Sequence, residues 1–317
     1  MKSTFAILTA GAAAANLKTA SFYESQHAAW KAEFPESVST LQAFADNTDT
    51  IEAHNAGNSS YTMGHNQFSG LTENQFRSLY LNNNFAAFDA AREKNYDMTL
   101  TEGPVKAFAK IDWVAKGAVT PVKDQAQCGS CWAFSTVAGM EGQLFVAEGK
   151  LLSMSEQDLV SCDKKGGLMD NVFTWIQTNG LCTEADYPYT SGTGSSGTCK
   201  KTCKAAATCT GHKDVPKGDE AALYAALQKA PVSIAVDAGK FQLYKSGILD
   251  PILGCGKQLD HGVTLVGAGT DGGKDYWTVK NSWGASWGEK GYIRLIHGKD
   301  ECGLADAASQ PTGVKSL

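Results

Sequence analysis

Apolar and polar positions alternate in the last third of the chain and recur at helical spacing before it. Beyond about residue 213, a period of two predicts strands of an antiparallel sheet at Val232–Val236, Gly262–Val266, Tyr276–Lys280 and Tyr292–Leu295. Upstream, the pattern predicts helices at Ser130–Ala147, ended by Gly149, and at Leu168–Gln177. A helical half followed by a strand-rich half predicts an α+β fold of two lobes with a cleft between them.

Residues 21–85 are polar and follow a different pattern. Phe44, Asn47, Ile51 and Asn55 recur at spacings of three, four and four, which places them on one face of a helix. The alternation in Gly64–Phe68 suits a short strand. Residues 82–104 are polar and weakly patterned, so we expect a linker there between two regions.

The first 15 residues, MKSTFAILTAGAAAA, combine a lysine, a short apolar stretch and small residues. This pattern is typical of a signal peptide, and its apolar core is too short to span a bilayer. The net charge of −5 and the lack of a basic block argue against a nucleic-acid partner. We therefore expect a protein of the secretory pathway that binds neither nucleic acid nor membrane.

All nine cysteines lie at or beyond Cys128, where the secretory pathway permits disulfides. Because nine is odd, at least one thiol stays unpaired within the chain. Cys128 and Cys131, in QCGSCWAFS, could be half of a zinc site, a dithiol redox pair, or a disulfide cysteine beside a free one. In the last case Ser130 is a good N-cap, and the helix dipole favours a thiolate at Cys131.

A thiolate nucleophile needs an imidazole partner within hydrogen-bond reach. Residues opposite each other in a hairpin are centred on its turn, and the midpoint of His261 and Asn281 is residue 271, inside the turn Thr270–Lys274. We therefore expect these side chains to be cross-strand neighbours to within a residue or two. An amide beside an imidazole can fix its tautomer and orientation.

From about Ile111 to Thr312 the chain resembles the papain-like cysteine peptidases of the cathepsin L-like group. The matching stretches are PVKDQAQCGSCWAFS, SEQDLVSCD, GGLMDN, APVS, DHGVTLVG, VKNSWGASWGEKGYIR and CGLADAASQP. The resemblance implies Cys131 as the nucleophile, His261 as the acid/base and Asn281 as the residue that orients the imidazole. It also implies an oxyanion site formed by the Gln125 side chain and the Cys131 amide.

The same resemblance divides the chain into a signal peptide (1–18), an inhibitory propeptide (19–106) and a mature peptidase domain (107–317). Family propeptides carry a spaced motif that is matched here by Glu36, Phe44, Asn47, Ile51 and Asn55. Thr40 stands in place of its arginine, and Gly70 in place of the aspartate of a second motif. Both departures remove a charge. We therefore expect a propeptide held less firmly by ion pairs, with an altered pH dependence of activation.

The substrate-binding residues that the resemblance implies are Gly129, Gly166, Gly167, Leu168, Met169, Ala235, Leu259, Asp260, Gly262, Trp283 and Ala307. Trp283 is also expected to shield the bond between Asn281 and His261. The apolar members predict a pocket for leucine, valine or phenylalanine two residues before the scissile bond, without a partner for arginine. No histidine-bearing insertion of the exopeptidase kind is visible, which favours an endopeptidase.

No cofactor or metal is expected. The expected partners are peptide and protein substrates, the chain's own propeptide and cystatin-type inhibitors, with the enzyme a monomer. Its expected location is the lysosome or vacuole, or outside the cell.

Disulfides Cys255–Cys302 and Cys162–Cys199 match family bridges, whereas the usual partner of Cys128 is missing because the loop 163–165 is short. Cys128 is then free or paired with Cys162 after rearrangement, and Cys182, Cys203 and Cys209 are additional. Two other classes of protein compete with the enzyme: a catalytically silent binding homologue and a disulfide-rich structural protein. The intact quartet of Gln125, Cys131, His261 and Asn281 favours the enzyme.

Overall fold

The fold is that of a computed structural model that describes residues 17–81, 85, 87, 94–102, 107–200, 203–251 and 254–317. The helices are α1 (Ala20–Glu33), α2 (Leu41–Asn55), α3 (Glu73–Tyr80), α4 (Cys131–Glu148), α5 (Glu156–Cys162), α6 (Met169–Asn179) and α7 (Glu220–Lys229), with 3-10 turns at Met98–Thr101 and Glu301–Gly303. Nearly all of the predicted signal peptide lies outside the described residues, as does much of the predicted linker. No helix in the described ranges is long and apolar enough to cross a bilayer.

The strands are β1 (Tyr61–Met63), β2 (Ile111–Asp112), β3 (Ala207–Thr208), β4 (Gly211–Asp214), β5 (Val232–Val236), β6 (Tyr244–Leu249), β7 (His261–Asp271), β8 (Lys274–Lys280), β9 (Tyr292–Ile296), β10 (Ala308–Thr312) and β11 (Lys315–Ser316). The main sheet has the order β1-β6-β9-β8-β7-β5-β10-β4, with β2 paired to β7 and β11 paired separately with β3. Its pairs are antiparallel except β6 with β9. Gly272 and Gly273 both have positive φ, as a two-residue turn from β7 to β8 requires.

Two separate buried clusters define the two lobes. One fills the sheet lobe around Trp277, Trp283 and Trp287, and the other lies between α4 and α6 in the helical lobe. Helix α4 is buried on most sides because it also touches the sheet, where the Ser135 hydroxyl donates to the Val263 carbonyl at 2.6 Å. The predicted two-lobed α+β fold is confirmed, and α4 places the start of a helix at the junction of the lobes.

The asparagines on α2 hold a loop of the pro-region in place. Asn47 Nδ2 donates to the carbonyls of Ser69 and Leu71 at 2.9 and 2.8 Å, and Asn55 exchanges two hydrogen bonds with Met63. The short strand expected at Gly64–Phe68 is wrong, since β1 ends at Met63. Its place is taken by a turn in which the Asn66 side chain accepts from the Phe68 amide at 2.9 Å.

The two departures from the propeptide motifs have structural roles. Thr40 is the N-cap of α2, where its hydroxyl accepts from the Ala43 amide at 3.2 Å. At Gly70, a Cβ atom would collide with Ser39, so an aspartate cannot be placed there without movement of the chain. Glu36 precedes α2 and is not on its buried face. Although both charges are missing, the pro-region has a capped α2 at Thr40 and close packing at Gly70.

Candidate active site

Cys131 is the first residue of α4 and is fully buried in this state. Its carbonyl lies against Gly262 at the start of β7, where a Cβ atom would come within 3.1 Å of the Cys131 oxygen. The lack of a side chain at Gly262 thus lets the start of α4 approach β7, the strand that begins with His261. This contact sets the first residue of α4 against the residue that follows His261.

The hairpin of β7 and β8 places His261 beside Asn281. His261 Nε2 and Asn281 Oδ1 are 2.7 Å apart, and both side chains are buried. Lys280 pairs with Thr264, two positions from simple centring on residue 271, because the turn is centred between Gly272 and Gly273. The irregularity between Leu265 and Gly267 moves the register one position back toward that centring. Among the described residues, no hydrogen-bond partner reaches His261 Nδ1, which leaves that nitrogen for the thiol or a substrate.

Burial keeps the two reactive groups uncharged in this state. It raises the pKa of the Cys131 thiol to about 12, although the amides of Gly262 and Trp132 act in the opposite direction. Burial likewise lowers the pKa of His261 to about 4, and the hydrogen bond that His261 donates to Asn281 only partly offsets this. In the covered state, burial therefore opposes the thiolate that the helix dipole favours.

Gln125 is held from two sides next to Cys131. Its Oε1 accepts from the Ser282 hydroxyl at 2.7 Å, and its backbone amide donates to the Ser282 carbonyl at 2.9 Å. Its Nε2 donates to the Cys128 carbonyl at 2.8 Å and reaches the Tyr80 carbonyl at 3.5 Å. Because the Ser282 hydroxyl holds Oε1 of Gln125, the Nε2 donor is kept toward the cleft. The Tyr80 carbonyl of the pro-region already lies there.

Aromatic residues of the pro-region cover the site from the sheet side. Trp283 stacks on the His261 ring with centroids 4.6 Å apart. Phe68 and Phe76 meet Trp283 edge to face, each at 5.3 Å. Gln67 Nε2 also donates to the Trp283 carbonyl at 2.6 Å. Trp283 thus shields the His261 imidazole from solvent, and the pro-region in turn covers Trp283.

We expect protonation of His261 to loosen this cover. Since His261 is kept neutral by burial, its contribution to the covered state is present above the ordinary histidine pKa of 6.5 and is lost as the pH falls toward 4. This contribution alone is about 3 kcal/mol, or roughly a hundred-fold in the uncovered population between pH 7 and pH 4, and the raised pKa of Asp260 acts in the opposite direction over the same range. Amide hydrogen exchange of α3 in a full chain with Cys131→Ala, corrected for the intrinsic rate at each pH, measures this opening.

The matched control adds His261→Gln to the same Cys131→Ala chain. Burial also lowers the pKa of His27 and His65 in the pro-region, and both histidines are present in the two chains. The difference in pH dependence between the chains therefore reports His261 alone. Equal pH dependence in both would contradict the role given to His261.

A phenylalanine of the pro-region belongs to the same buried cluster as most of the predicted apolar pocket. Phe85 is completely buried in the helical-lobe cluster, which also contains five of the predicted pocket residues: Leu168, Met169, Ala235, Leu259 and Ala307. The exposed fraction of each of the five is 6% or less, and none carries a charge. The structure thus places these five residues and an aromatic side chain of the pro-region in one buried cluster.

The remaining predicted substrate-binding residues line or border the same cleft. Gly166 lies against the Trp132 ring, where a Cβ atom would collide with the indole, and Gly167 has a φ of 131°. Around Gly129 a Cβ atom would meet nothing within 4 Å. Asp260 pairs with Arg77 of the pro-region at 3.2 Å, and burial raises the pKa of Asp260 to about 7. The pro-region therefore contacts this border by charge as well as by apolar packing.

Three disulfides cross-link the peptidase region. Cys162–Cys199 and Cys255–Cys302 join the cysteines paired by the resemblance, and Cys182–Cys203 is a third bridge. Cys128, Cys131 and Cys209 are free. Cys209 is buried and its thiol contacts the Phe173 carbonyl at 3.3 Å. Cys128 is therefore a free thiol three residues before Cys131.

The Ser130 side chain does not act as the predicted cap. Ser130 occupies the N-cap position of α4, but its hydroxyl makes no capping hydrogen bond. It lies 2.8 Å from the Tyr189 hydroxyl instead. Sequence reasoning missed Tyr189 and Ser282, and Phe85 lay hidden in the weakly patterned linker. A hydroxyl directly after Asn281 was the one local signal available for Ser282.

Possible metal ligands form three groups in the described ranges. Two of them contain cysteines that are already in disulfides, which removes their thiolates as ligands. The third consists of Asp170, His212 and Asp214, and the Asp214 carboxylate already accepts the Asn95 amide at 2.7 Å. These groups supply no ligand set at the cleft.

Two family models match the chain in order. Residues 27–76 match the cathepsin propeptide inhibitor domain (I29), and residues 107–312 match the papain family cysteine protease model. The second match alone covers more than half of the 317 residues and contains Cys131, His261 and Asn281. The two matches coincide with the pro-region and the two-lobed region of the structure.

Named relatives and solved structures agree with these matches. The senescence-specific cysteine protease SAG39 of Oryza sativa subsp. japonica is 41% identical over 313 residues, which cover 90% of this chain and 89% of that protein. The probable cysteine protease RD21B of Arabidopsis thaliana is 43% identical over 284 residues, but the chain spans only 60% of its length. The proform of the ragweed pollen cysteine protease Amb a 11 has a TM-score of 0.84 at 34% identity, covering 93% of this chain and 96% of that chain.

Proposed function

Because the chain belongs to the papain family of cysteine proteases, with a propeptide inhibitor domain before its protease domain, we propose that it is a cysteine endopeptidase made as a zymogen. The observation that carries this proposal is the contact of Cys131, at the start of α4, with Gly262, the residue after His261, together with the hydrogen bond between His261 and Asn281. A silent binding homologue would not require this arrangement. The comparisons with active-protease relatives give no support to that alternative.

In the proposed reaction, removal of the pro-region returns water and charge to the site. The Cys131 thiol passes its proton to His261 Nδ1, and the thiolate attacks the peptide carbonyl. The imidazolium then protonates the leaving amine, and the same imidazole later takes a proton from the water that hydrolyses the thioester. Gln125 Nε2 and the Cys131 amide stabilise the oxyanion, while Asn281 keeps His261 in the orientation that the 2.7 Å bond defines.

We assign residues 1–18 to a signal peptide, 19–106 to the propeptide and 107–317 to the mature enzyme. The secretory pathway agrees with three disulfides in the peptidase region. Within that pathway, the lysosome, the vacuole and the extracellular space are the proposed destinations. Its partners are peptide and protein substrates and its own propeptide, and we propose cystatin-type inhibitors as further partners. We propose that the enzyme is a monomer.

The proposed substrate preference is for an apolar side chain two residues before the scissile bond. Phe85 supports it, because its buried ring shares a cluster with Leu168 and Ala307. An arginine in such a pocket would be desolvated without a partner. We therefore expect kcat/KM for a peptide with phenylalanine or leucine at that position to exceed that of the arginine peptide by at least about ten-fold.

The experiment is to acidify the full chain under mild reductant, follow its self-cleavage, and assay peptides that differ only at this position. The matched control is Cys131→Ala, which keeps the fold but lacks the nucleophile. Hydrolysis that survives Cys131→Ala, or no hydrolysis by the parent chain, would reject the proposed enzyme. A preference for the arginine peptide would reject only the proposed specificity.

A further inference from the structure

Tyr189 joins the two polypeptide segments that supply the oxyanion site. Its hydroxyl lies 2.9 Å from the Gln125 carbonyl and 2.8 Å from the Ser130 hydroxyl. Its ring meets Phe134, in the first turn of α4, edge to face at 5.0 Å. Gln125 supplies the side-chain donor of the proposed oxyanion site, and Ser130 directly precedes the backbone donor Cys131. One side chain therefore contacts both halves of that site.

The direction of these hydrogen bonds is determined by their chemistry. A carbonyl only accepts, so the single phenolic proton of Tyr189 is donated to Gln125. The Ser130 hydroxyl must then donate to the Tyr189 oxygen. Burial raises the pKa of Tyr189, which keeps that proton in place. The result is a relay from Ser130 through Tyr189 to the Gln125 carbonyl.

The segment that follows Gln125 needs such support. Ala126 has a φ of 49°, in the left-handed region that a residue with a Cβ atom rarely adopts. Its amide donates to the Asp124 carboxylate at 2.8 Å, and the Gln127 amide donates to the Gly192 carbonyl at 3.0 Å. The Tyr189 bond to the Gln125 carbonyl completes the set of contacts that hold this conformation on both sides of Ala126.

We propose that Tyr189 is a positioning residue for the oxyanion site, acting through Gln125 and Ser130 without touching the substrate. The role rests on the proposed peptidase function. Ser282 holds the Gln125 side chain and its backbone amide, whereas Tyr189 connects the Gln125 carbonyl to Ser130, next to the Cys131 amide. Loss of the Tyr189 hydroxyl removes this connection between the two donor segments and leaves the thiol and the imidazole in place.

The test is Tyr189→Phe in the full chain, assayed after acid activation. Because both donors stay present but their spacing relaxes, we expect kcat to fall roughly ten-fold, less than the loss of one donor causes, with KM unchanged. The affinity for a peptide aldehyde, whose adduct with Cys131 places an oxygen in the oxyanion site, should fall by the same factor. The rate of alkylation by iodoacetamide should not change, since that reaction uses the thiolate and forms no tetrahedral oxyanion.

Tyr187→Phe is the matched control, because within the described residues its hydroxyl hydrogen-bonds Thr198 and Lys200 of the same region and neither half of the oxyanion site. Adding Ala126→Gly to Tyr189→Phe should restore part of kcat by relieving the left-handed strain. If Tyr189→Phe does not fold, Ser130→Ala breaks the same relay, with the same predicted separation between aldehyde affinity and alkylation rate.

Unchanged kcat and aldehyde affinity would overturn the proposal, and so would an alkylation rate that falls in parallel with kcat. Failure of the peptidase function is a different result, namely a parent chain that hydrolyses no peptide. Aldehyde protection of Cys131 against alkylation would still report the geometry of the oxyanion site in that case.

Discussion

Replacement of Gln125 by alanine is expected to lower kcat by about 10²–10³-fold and to leave KM within a few-fold. The reason is that its Nε2 is a fixed donor at the cleft, with its Oε1 already occupied by the Ser282 hydroxyl at 2.7 Å. A donor oriented before the reaction stabilises charge that develops only in the transition state. Steady-state kinetics of the acid-activated chain, together with active-site titration of Cys131, separates this effect from loss of folded enzyme.

Gln127→Ala is the matched control, since Gln127 is an exposed glutamine two residues further along the chain. We expect its kinetics to be unchanged. Ser282→Ala should lie between the two, because it frees the Gln125 amide to rotate while keeping the donor. A Gln125→Ala enzyme that retains the parent kcat would show that the Cys131 amide stabilises the oxyanion without Gln125.

Replacement of Phe44 by alanine is expected to release the zymogen. Phe44 is 1% exposed, and its ring contacts His65 at 4.6 Å, His27 at 5.2 Å and Trp30 at 5.5 Å between centroids. Loss of such a side chain costs about 3–5 kcal/mol, which is a large fraction of the stability of a small domain. We expect residues 17–81 to become sensitive to added protease in a chain that also carries Cys131→Ala.

With Cys131 intact, the same change should shorten the lag before peptidase activity appears at acid pH. Leu41→Ala is the control on the same helix, because Leu41 is 38% exposed and its loss should change stability by less than about 0.5 kcal/mol. If Phe44→Ala retains the protease resistance and lag of the parent chain, the inhibitory region does not depend on its aromatic core.

Elements with a strong local pattern could be predicted from the sequence. Strand β5 has the bounds predicted for it, and α4 differs from its prediction by one residue at each end. The adjacency of His261 and Asn281 also followed from a single local feature, the glycine turn between their strands. These predictions succeed because apolar periodicity and turn residues act over short distances in the chain.

The contacts that complete the site are between residues far apart in sequence. Ser130 had the residue type and position of a cap, but Tyr189, 59 positions away, engages its hydroxyl. Phe85 lies in a polar segment, and its place in the buried cluster of the helical lobe is seen only in the folded chain. At Gly70 the sequence indicated only the loss of a charge relative to the family motif. The structure shows in addition that the neighbouring Ser39 leaves no room for a side chain at this position. Local propensity carries no information about such partners.

The pairing of β1 with β6 has a consequence for the mature enzyme. Residues 61–63 of the pro-region cover the outer side of β6 in the sheet, with Thr62 opposite Ser246. When they leave, β6 becomes an edge strand with unpaired amides and carbonyls, which is a template for another chain. Gly247, with a φ of 95°, and the exposed Lys245 make this edge irregular and charged. Activation thus also turns β6 from a covered strand into the edge strand of the sheet. Lys245 and Gly247 limit the tendency of the mature enzyme to self-associate at this edge.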